Sequence, residues 1–398
     1  MKSHKQNMYV LSICQCLYTA AISVDMTLTG VVGYKLATLK SLATLPFALI
    51  IVSGAITTFF AAQILVRVGR RNGFIFGALC AVIGGGVSAV SIYCASFIGF
   101  CVGTAFVGVF QAFAFYYRFA AADAVIREEK AKAISYIMIG SVIAAVFGPF
   151  IAIESRKIFK AVDFAGSYLI VALLGGLSIL AFMLFYNDNA HKALITEELD
   201  LVPARPLYEI IKTPQYITAL TGSVIGYMVM MCLMTAAPIA SVLAGHSIND
   251  GAHIMQWHLL GMYAPSLITG ILIKKYGDLK IIFLGIVLNL ACILFAVSSL
   301  TLDSFYISLM CLGIGWNFMF IASTAMLAQS YHGNEISKAQ GFAELIRYIG
   351  TAIAALSAGP LLQYIGWAKM SLIMLMLLFI SVLMLCRYIM MNKKLINI

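Results

Sequence analysis

Long apolar runs alternate with short polar segments along almost the whole chain. Each run has about 20 residues or more, which suffices for one helical crossing of a bilayer core roughly 30 Å thick. The runs are continuously apolar, without alternating polar positions, so they predict helices and not the strands of a membrane barrel. The predicted spans are residues 8–33, 42–66, 73–93, 96–120, 133–153, 164–186, 216–244, 254–274, 279–299, 304–328, 339–361 and 367–390.

A short basic segment recurs after half of the chain. Residues 61–73 read AAQILVRVGRRNG, and residues 270–280 read GILIKKYGDLK. The corresponding positions, all 208 residues apart, are Ala62 with Gly270, Arg67 with Lys275 and Gly69 with Gly277. A loop that returns at one fixed offset predicts two related halves. The predicted domains are an N-terminal six-helix half at 1–190, a cytoplasmic linker at 191–214 and a C-terminal six-helix half at 215–398.

The basic residues predict the orientation of the spans. Twelve spans place both termini on the same side of the membrane. Cytoplasmic loops carry an excess of Lys and Arg. With the termini inside, only six of the 26 Lys and Arg lie outside, namely Lys35, Lys40, Arg156, Lys157, Lys160 and Lys369. We therefore predict an all-α protein with 12 transmembrane helices and both termini cytoplasmic, in a bacterial inner (cytoplasmic) membrane.

Composition excludes a soluble domain. Hydrophobic residues make up 62% of the chain and charged residues 11%, whereas a soluble domain has about a quarter charged residues. The net charge of +10 is spread through short loops, which favours membrane topology and argues against a nucleic-acid partner. No phosphate loop, His-Glu-x-x-His or Gly-x-Ser-x-Gly motif occurs, so we predict neither an enzyme nor a cofactor.

Three histidines near the eighth span do not predict a metal site. His246, His253 and His258 are seven and five residues apart, so they do not share one helical face. A metal site on a helix favours ligands at i and i+4. His258 alone remains as a donor or proton relay in a cavity.

Residues 62–71 resemble the signature of the major facilitator superfamily, Gly-x-Leu-Ala-Asp-Arg-x-Gly-Arg-Arg, which lies between its second and third helices. Ala62 replaces the first glycine and Val66 replaces the aspartate. In the family that aspartate helps to latch the two halves on the cytoplasmic side. The resemblance therefore leaves Asp123 as the expected partner of the loop arginines. The implied cytoplasmic gate comprises Arg67, Gly69, Arg70, Arg71, Asp123, Lys275 and Gly277.

Four further segments, at 42–46, 117–123, 255–265 and 315–318, resemble a bacterial branch of riboflavin-type uptake proteins. The resemblance implies two pseudo-symmetric halves, a substrate bound near the midplane, and transport driven by an ion gradient. We expect a monomeric, proton-coupled importer of a small organic solute. Gly148-Pro149 resembles the family's antiporter signature without its trailing glycines, so proton-antiport efflux is the alternative. A non-transporting membrane sensor is a further alternative function.

Ionisable groups inside apolar spans are costly, so each one requires an explanation. Asp25, Glu344 and His258 are the predicted proton-coupling residues. Asp25 has an alternative role as a rim carboxylate paired with Lys35 or Lys40. Glu344 and Arg347 lie three residues apart on one helix face, and the alternative for them is a charge cluster that locks the cytoplasmic side.

Aromatic and amide side chains deep in the spans are the substrate candidates. Such groups suit a flat, partly polar organic molecule, although packing is the alternative for each of them. The predicted cavity residues are Gln111, Tyr117, Arg118, Tyr227, Gln256, Trp257, Trp316, Asn317 and Arg347.

Overall fold

The apolar runs form helices throughout the described part of the chain. The computed structural model describes residues 2–122, 130–159, 162–187, 205–332 and 335–396, and no strand occurs among them. The helices are α1 (Lys2–Leu36), α2 (Leu45–Val68), α3 (Arg70–Tyr93), α4 (Phe97–Ala114), α5 (Tyr117–Ala122), α6 (Lys130–Arg156), α7 (Ala165–Phe185), α8 (Leu207–Ile211), α9 (Pro214–Leu243), α10 (Ile248–Tyr263), α11 (Ser266–Tyr276), α12 (Asp278–Ser298), α13 (Leu302–Ala328) and α14 (Ile336–Ile396), with a 3₁₀ turn at Lys40–Leu42.

Ten helical stretches among the described residues are long and apolar enough to cross a membrane. The prediction of an all-α membrane protein is therefore confirmed, whereas the number of twelve crossings stays a prediction. α14 has 61 residues and contains both of the last two predicted spans, with a non-helical Gly366 (φ 77°, ψ 171°) between them. The predicted span 254–274 is not one helix, because it is divided into α10 and α11.

Proline lies at the division of that span. Pro265 has no N–H with which to bond the carbonyl one turn earlier, and the helix ends at Tyr263 and resumes at Ser266. Proline alone does not end a helix in this chain, because α6, α9 and α14 each continue through one. The predicted span 96–120 is also divided, between α4 and α5. There the Tyr116 N–H bonds the carbonyl of Phe113, which is a tighter turn than an α-helix makes.

The two copies of the basic hinge have the same backbone conformation. Gly69, between α2 and α3, has φ 84° and ψ 157°, and Gly277, between α11 and α12, has φ 85° and ψ 157°. This region of φ and ψ is open almost only to glycine, because a Cβ atom would collide with the backbone. Each glycine therefore ends one helix and turns the chain directly into the next.

The chain divides into two compact units. The first unit comprises Met1–Thr196 and Ser247–Gln256, and the second comprises Glu197–His246 and Trp257–Ile398. In the first unit α1 packs on α6, and α3 packs on α4 and α7. In the second unit α9 packs on α13 and α14, and α12 packs on α13. The predicted limits of the halves and linker remain predictions.

Small residues bring the main helix pairs together. A Cβ atom added at Gly148 of α6 would lie 2.4 Å from the Ser23 side chain of α1. A Cβ atom added at Gly350 of α14 would lie 3.0 Å from Val224 Cγ1 of α9. Such contacts are tighter than side chains normally allow, so these glycines permit the close approach that stabilises helix pairs in lipid.

Arg205, just before α8, forms an ion pair with Glu335, just before α14. Glu335 is fully buried, and Arg205 Nη2 lies 2.7 Å from its Oε2. The Arg205 N–H and Nε each donate to Oε1 at 2.8 Å, and the His332 N–H donates to Oε2 at 2.9 Å. Arg205 Nη2 also donates to the Ser330 carbonyl. A buried carboxylate needs this many donors, and they attach the segment before α8 to the second unit.

The stability contributed by this ion pair should be lost in acid. Hydrogen bonds from Arg205 hold the pKa of Glu335 at about 2, below its usual 4.5. Because the folded-state pKa is lowered, the ionised carboxylate stabilises the fold above pH 4.5 and ceases to do so as the pH falls towards 2. Glu335→Gln should therefore lower the melting temperature by a constant amount from about pH 8 to about pH 5, and by less below that. Glu209→Gln, which changes an exposed carboxylate of α8, is the control. A melting difference that grows in acid would contradict the prediction.

Candidate functional site

The second unit holds a cluster of aromatic rings around one arginine. Trp316 and Phe320 of α13 lie one turn apart and stack at 5.3 Å with an interplanar angle of 11°. Tyr227 of α9 meets both rings edge to face, at 5.2 Å and 5.1 Å. The Arg347 guanidinium of α14 lies 4.5 Å from the Tyr227 ring centroid and 5.4 Å from that of Phe320. Three helices of one unit therefore build a site with aromatic faces and a cation.

Glu344 compensates the charge of this arginine. It lies one helical turn before Arg347 and forms an ion pair with the guanidinium Nη2. The Arg347 side chain is 8% exposed, whereas that of Glu344 is 42% exposed. A cation this deeply buried needs a partner, and the carboxylate provides it. The cluster is accordingly neutral as a whole, and the Glu344 side chain is exposed in part, although its Oε2 is buried.

Trp316 leaves one polar atom unused in this cluster. Its side chain is buried, and Nε1 has no hydrogen-bond partner within the described ranges. Indole N–H groups usually find an acceptor when they are buried. An unused donor in a cluster of aromatic rings that also holds an arginine suits a polar aromatic ligand.

Asp25 occupies a second buried site, in the first unit. Its carboxylate is fully buried within α1, and Oδ1 accepts a hydrogen bond of 3.3 Å from the Thr29 hydroxyl one turn later. Thr29 in turn shares a 2.8 Å hydrogen bond with the Tyr168 hydroxyl of α7. Oδ2 has no partner among the residues described. The described surroundings thus place no compensating cation against this buried carboxyl group.

The alternative of a rim aspartate paired with lysine is not what the structure shows. Lys40 donates to the carbonyls of Tyr34 and Ala37 at 2.7 Å and 2.9 Å. Lys35 Nζ lies 5.5 Å from the ring centroid of Phe164. Neither lysine forms an ion pair with Asp25.

His258 is fully buried in α10. Its Nδ1 lies 2.9 Å from the carbonyl oxygen of Leu309, so Nδ1 carries the hydrogen and donates it. Nε2 then holds a lone pair, and it has no partner in the described structure. His258 therefore has the tautomer that a proton acceptor needs, although no carboxylate faces it among the contacts described.

Asn317 forms hydrogen bonds on both sides of the division between α10 and α11. Its Nδ2 donates to the Met262 carbonyl at 2.7 Å and to Ser266 Oγ at 2.6 Å. Its Oδ1 accepts from the Thr269 hydroxyl at 2.7 Å. The helix division frees the Met262 carbonyl, and this amide satisfies it. These contacts favour a structural role for Asn317 over the predicted place in a substrate cavity.

The predicted cavity residues of α4 and α5 have different surroundings and form no common cluster among the contacts described. Tyr117 is fully buried, with its ring 4.9 Å from that of Phe74 and 5.4 Å from that of Phe182, which favours packing. Arg118 lies 3.7 Å from the ring centroid of Phe115. Gln111 of α4 keeps its Oε1 buried without a hydrogen bond inside the described ranges.

The two predicted cavity residues of α10 have different surroundings. Gln256 Nε2 donates to the Val146 carbonyl of α6 at 2.7 Å, a contact within the first unit. Trp257 is 49% exposed. Of the predicted cavity residues, the structure thus brings together Tyr227, Trp316 and Arg347, and it adds Glu344 from the predicted proton sites.

The arginines of the predicted gate bond backbone carbonyls of the first unit. Arg71 donates through Nε to the Phe182 carbonyl at 3.2 Å and through Nη2 to the Met183 carbonyl. These are among the last carbonyls of α7, where the end of the helix attracts a cation, and the Phe182 carbonyl also accepts the Tyr186 N–H at 3.4 Å. Arg70 reaches the Ala120 carbonyl at 3.4 Å. Their expected partner, Asp123, lies outside the described residues.

Arg67 and Lys275 occupy equivalent places in the two hinges. Both side chains are exposed at the ends of α2 and α11. Lys275 Nζ lies 5.1 Å from the ring centroid of the adjacent Tyr276. Their role in the gate stays a prediction.

Several site residues were missed by the sequence reasoning. Phe320 lies four residues after Trp316, and Thr29 lies four residues after Asp25, so both share a helix face with a residue that was identified. That spacing could have found them. Tyr168 has no such signal, because it reaches Thr29 from another helix. No group of three or more His, Cys, Asp and Glu that could hold a metal occurs in the described part of the chain.

Comparison with known proteins identifies the family. The model of the Major Facilitator Superfamily matches residues 10–264 and 253–395. The riboflavin transporter RfnT of Brucella anthropi is 39% identical over 363 residues, covering 91% of this chain and 90% of that protein. The MFS-type transporter YdeG of Bacillus subtilis is 26% identical over 389 residues, covering 93% and 89%.

Solved structures share the fold. The nucleoside transporter NupG superposes with a TM-score of 0.70 at 13% identity, covering 97% of this chain and 99% of that one. A bacterial homologue of the human lysosomal transporter Spinster, inward-facing and occupied, gives 0.67 at 14% identity, covering 99% and 97%. The resemblance carried by residues 62–71 is thus confirmed. The chain belongs to the major facilitator superfamily, and it is a membrane transporter rather than an enzyme.

Proposed function

We propose that the protein imports a flat, partly polar heteroaromatic solute of the riboflavin type, together with protons, by alternating access. The observation that carries the proposal is the cluster of Tyr227, Trp316, Phe320 and Arg347 in the second unit. The similarity to a riboflavin transporter over 91% of the chain supports the solute class.

The chemistry of this cluster suits a flat ring. Aromatic side chains bind heterocycles by offset stacking or edge-to-face contact, and a guanidinium adds attraction to a ring face. Ligand sites in proteins are mostly apolar with a few polar groups that fix orientation, which describes three aromatic rings beside one ion pair. An aliphatic or strongly charged solute would leave the aromatic faces or the ion pair without a matching surface.

A proton gradient is the proposed source of energy. The sequence has no phosphate loop for ATP, so uphill transport must use an ion gradient. Asp25 supplies a carboxyl group that is buried without a cation among the contacts described, and such groups inside membrane proteins mark proton pathways. Glu344 and His258 are the alternative proton sites.

The proposed topology has twelve crossings in the inner membrane, with both termini cytoplasmic. The distribution of Lys and Arg supports it, because only six of 26 lie outside in that orientation. The proposed halves span 1–190 and 215–398, are joined by the linker 191–214, and form a monomer. Arg67, Gly69, Arg70, Arg71, Asp123, Lys275 and Gly277 form the proposed cytoplasmic gate.

Proteoliposomes that contain a pH-sensitive dye test the proposal. Addition of riboflavin outside should acidify the lumen and lead to riboflavin uptake, and a protonophore should remove the accumulation. Tyr227→Ala should weaken riboflavin binding roughly tenfold, because it removes one aromatic face. Tyr364→Ala is the control, since Tyr364 is 78% exposed.

Other outcomes would overturn parts of the proposal. Lumenal alkalinisation on addition of solute would indicate antiport and favour efflux. Uptake without a pH change would exclude proton coupling. Riboflavin binding that is equal in both tyrosine variants and the wild type would remove the aromatic cluster from the site.

A further inference from the structure

We propose that Glu344, Arg347 and Trp316 together recognise a cyclic imide edge, the C=O, N–H, C=O segment of a pyrimidinedione ring. The inference rests on the proposed function, because it takes the aromatic cluster as the solute site. It goes beyond that function because it names the solute atoms that the protein recognises and the chemical class of solute that carries them.

The side chains offer the hydrogen-bonding pattern that an imide needs. An imide presents an acceptor, a donor and an acceptor in a row. The complementary row is a donor, an acceptor and a donor. Arg347 supplies N–H donors, and the Glu344 carboxylate paired with it is an acceptor. Trp316 Nε1 is the second donor, and it has no partner of its own within the described residues.

The aromatic contacts bring these groups to one place. Arg347 lies 4.5 Å from the Tyr227 ring centroid, and that ring lies 5.2 Å from the ring of Trp316. The guanidinium and the indole therefore flank the same tyrosine. Since Glu344 is paired with this guanidinium, both donors and the carboxylate belong to one cluster around Tyr227.

The three side chains of the proposed imide site differ in their exposure. The Glu344 side chain is 42% exposed, whereas Arg347 is 8% exposed and Trp316 is buried. Glu344 is thus the most exposed of the three side chains, although its Oε2 is buried, and the indole N–H is buried without a partner within the described residues. A buried donor without an acceptor is costly, so a ligand carbonyl that satisfies it contributes to affinity.

Charge favours a neutral solute over an anion. An unpaired arginine in an aromatic site attracts carboxylates or phosphates. Here Glu344 already neutralises Arg347, and an anion would be repelled by the carboxylate. The imide N–H suits this carboxylate, because it donates a hydrogen bond without bringing a negative charge. A neutral imide thus fits the pair better than a phosphorylated ring does.

Equilibrium binding to the purified full-length protein tests the inference. Riboflavin is compared with N3-methylriboflavin, which keeps the ring system and lacks only the imide N–H. The wild type should bind riboflavin at least about tenfold more tightly, because the methylated ring leaves the carboxylate without its hydrogen bond. In Glu344→Ala this preference should fall to about threefold or less.

A second variant tests the role of the Trp316 N–H. Trp316→Phe keeps an aromatic ring and removes the N–H, so it should weaken both flavins alike by about tenfold and preserve the preference. Glu154→Gln is the matched control, because Glu154 forms the same kind of pair with Lys157, three residues later, in the first unit. It should change neither affinity. A ratio of two ligands on one sample is unaffected by partial loss of folded protein.

Uridine and N3-methyluridine identify the source of the imide, because nucleosides carry the same edge. If only the uridine pair binds and shows the N3 preference, the inference stands while riboflavin fails as the solute. Equal binding of riboflavin and N3-methylriboflavin to the wild type would overturn the inference while leaving riboflavin uptake intact. If none of the four compounds binds, both the inference and the proposed solute are wrong.

Discussion

Replacing Asp25 with asparagine should abolish accumulation of solute against its gradient while exchange of solute for solute continues. With a pH gradient of one unit, one proton supplies about 1.4 kcal/mol, which supports roughly tenfold accumulation of solute. Asparagine keeps the size and shape of the aspartate side chain, but its amide cannot take up or release a proton. The accumulation ratio in Asp25→Asn proteoliposomes should therefore fall to about one.

The surroundings of Asp25 make this loss specific to coupling. The carboxyl group is fully buried, and its contacts are a Thr29 hydroxyl at Oδ1 and no partner at Oδ2 in the described structure. Asparagine can keep the bond from Thr29, so the fold should tolerate the change. Because this carboxyl group is buried, it can exchange a proton only when water reaches it, which ties proton release to opening of the site.

Two measurements separate the loss of coupling from the loss of transport. Counterflow of labelled riboflavin should persist in Asp25→Asn, and Asp303→Asn should keep full accumulation, because Asp303 is exposed in the first turn of α13. Asp25→Glu should restore part of the accumulation. Uphill transport by Asp25→Asn would refute the assignment and move the proton to Glu344 or His258.

Replacing Gly277 with alanine should lower both the melting temperature and the transport rate. Its φ of 85° and ψ of 157° lie where a residue with a Cβ atom is strained, at a cost of about 1–3 kcal/mol. The strain falls on the direct turn between α11 and α12, so relaxation would change the angle at which α12 begins. Gly69→Ala should behave in the same way, because its backbone has the same conformation.

Gly270→Ala is the matched control for this prediction. Gly270 lies within α11, seven residues before Gly277, and a Cβ atom added there has no neighbour within 4 Å. Alanine is also the residue at the equivalent position, Ala62. Because alanine favours helix over glycine by about 1 kcal/mol, this variant should melt at the same or a higher temperature. Equal melting of Gly277→Ala and Gly270→Ala would show that the conformation at Gly277 has no energetic role.

Hydrophobic patterning predicted the helices well and their interruptions poorly. Spans such as 73–93 match α3 closely, because an apolar run of that length has few other solutions in a membrane. The division at Pro265 was missed, although proline has no N–H, because many membrane helices contain proline without ending. The hinge glycines were matched by spacing alone, and the structure shows that they share their dihedral angles.

The site was predicted in part, because composition does not specify partners. Tyr227, Trp316 and Arg347 were identified as polar or aromatic groups inside spans, and they lie together. Tyr117 and Asn317 satisfied the same criterion, yet one packs in an aromatic core and the other fastens a divided helix. In the sequence, a polar residue in an apolar span looks the same whether it belongs to the site or has a structural role. Only its contacts with the neighbouring helix distinguish the two.

The ion pair of Glu344 and Arg347 also limits the fixed charge on which the electrical field across the membrane can act. The two side chains carry no net charge together, and a neutral solute adds none when it binds. In the proposed cycle the only charge moved is then that of the proton. Each 100 mV contributes about 2.3 kcal/mol per charge, enough for roughly 50-fold accumulation. With an unpaired arginine at this place, the field would act on one more fixed charge as the empty carrier returns, in addition to that of the ionised Asp25.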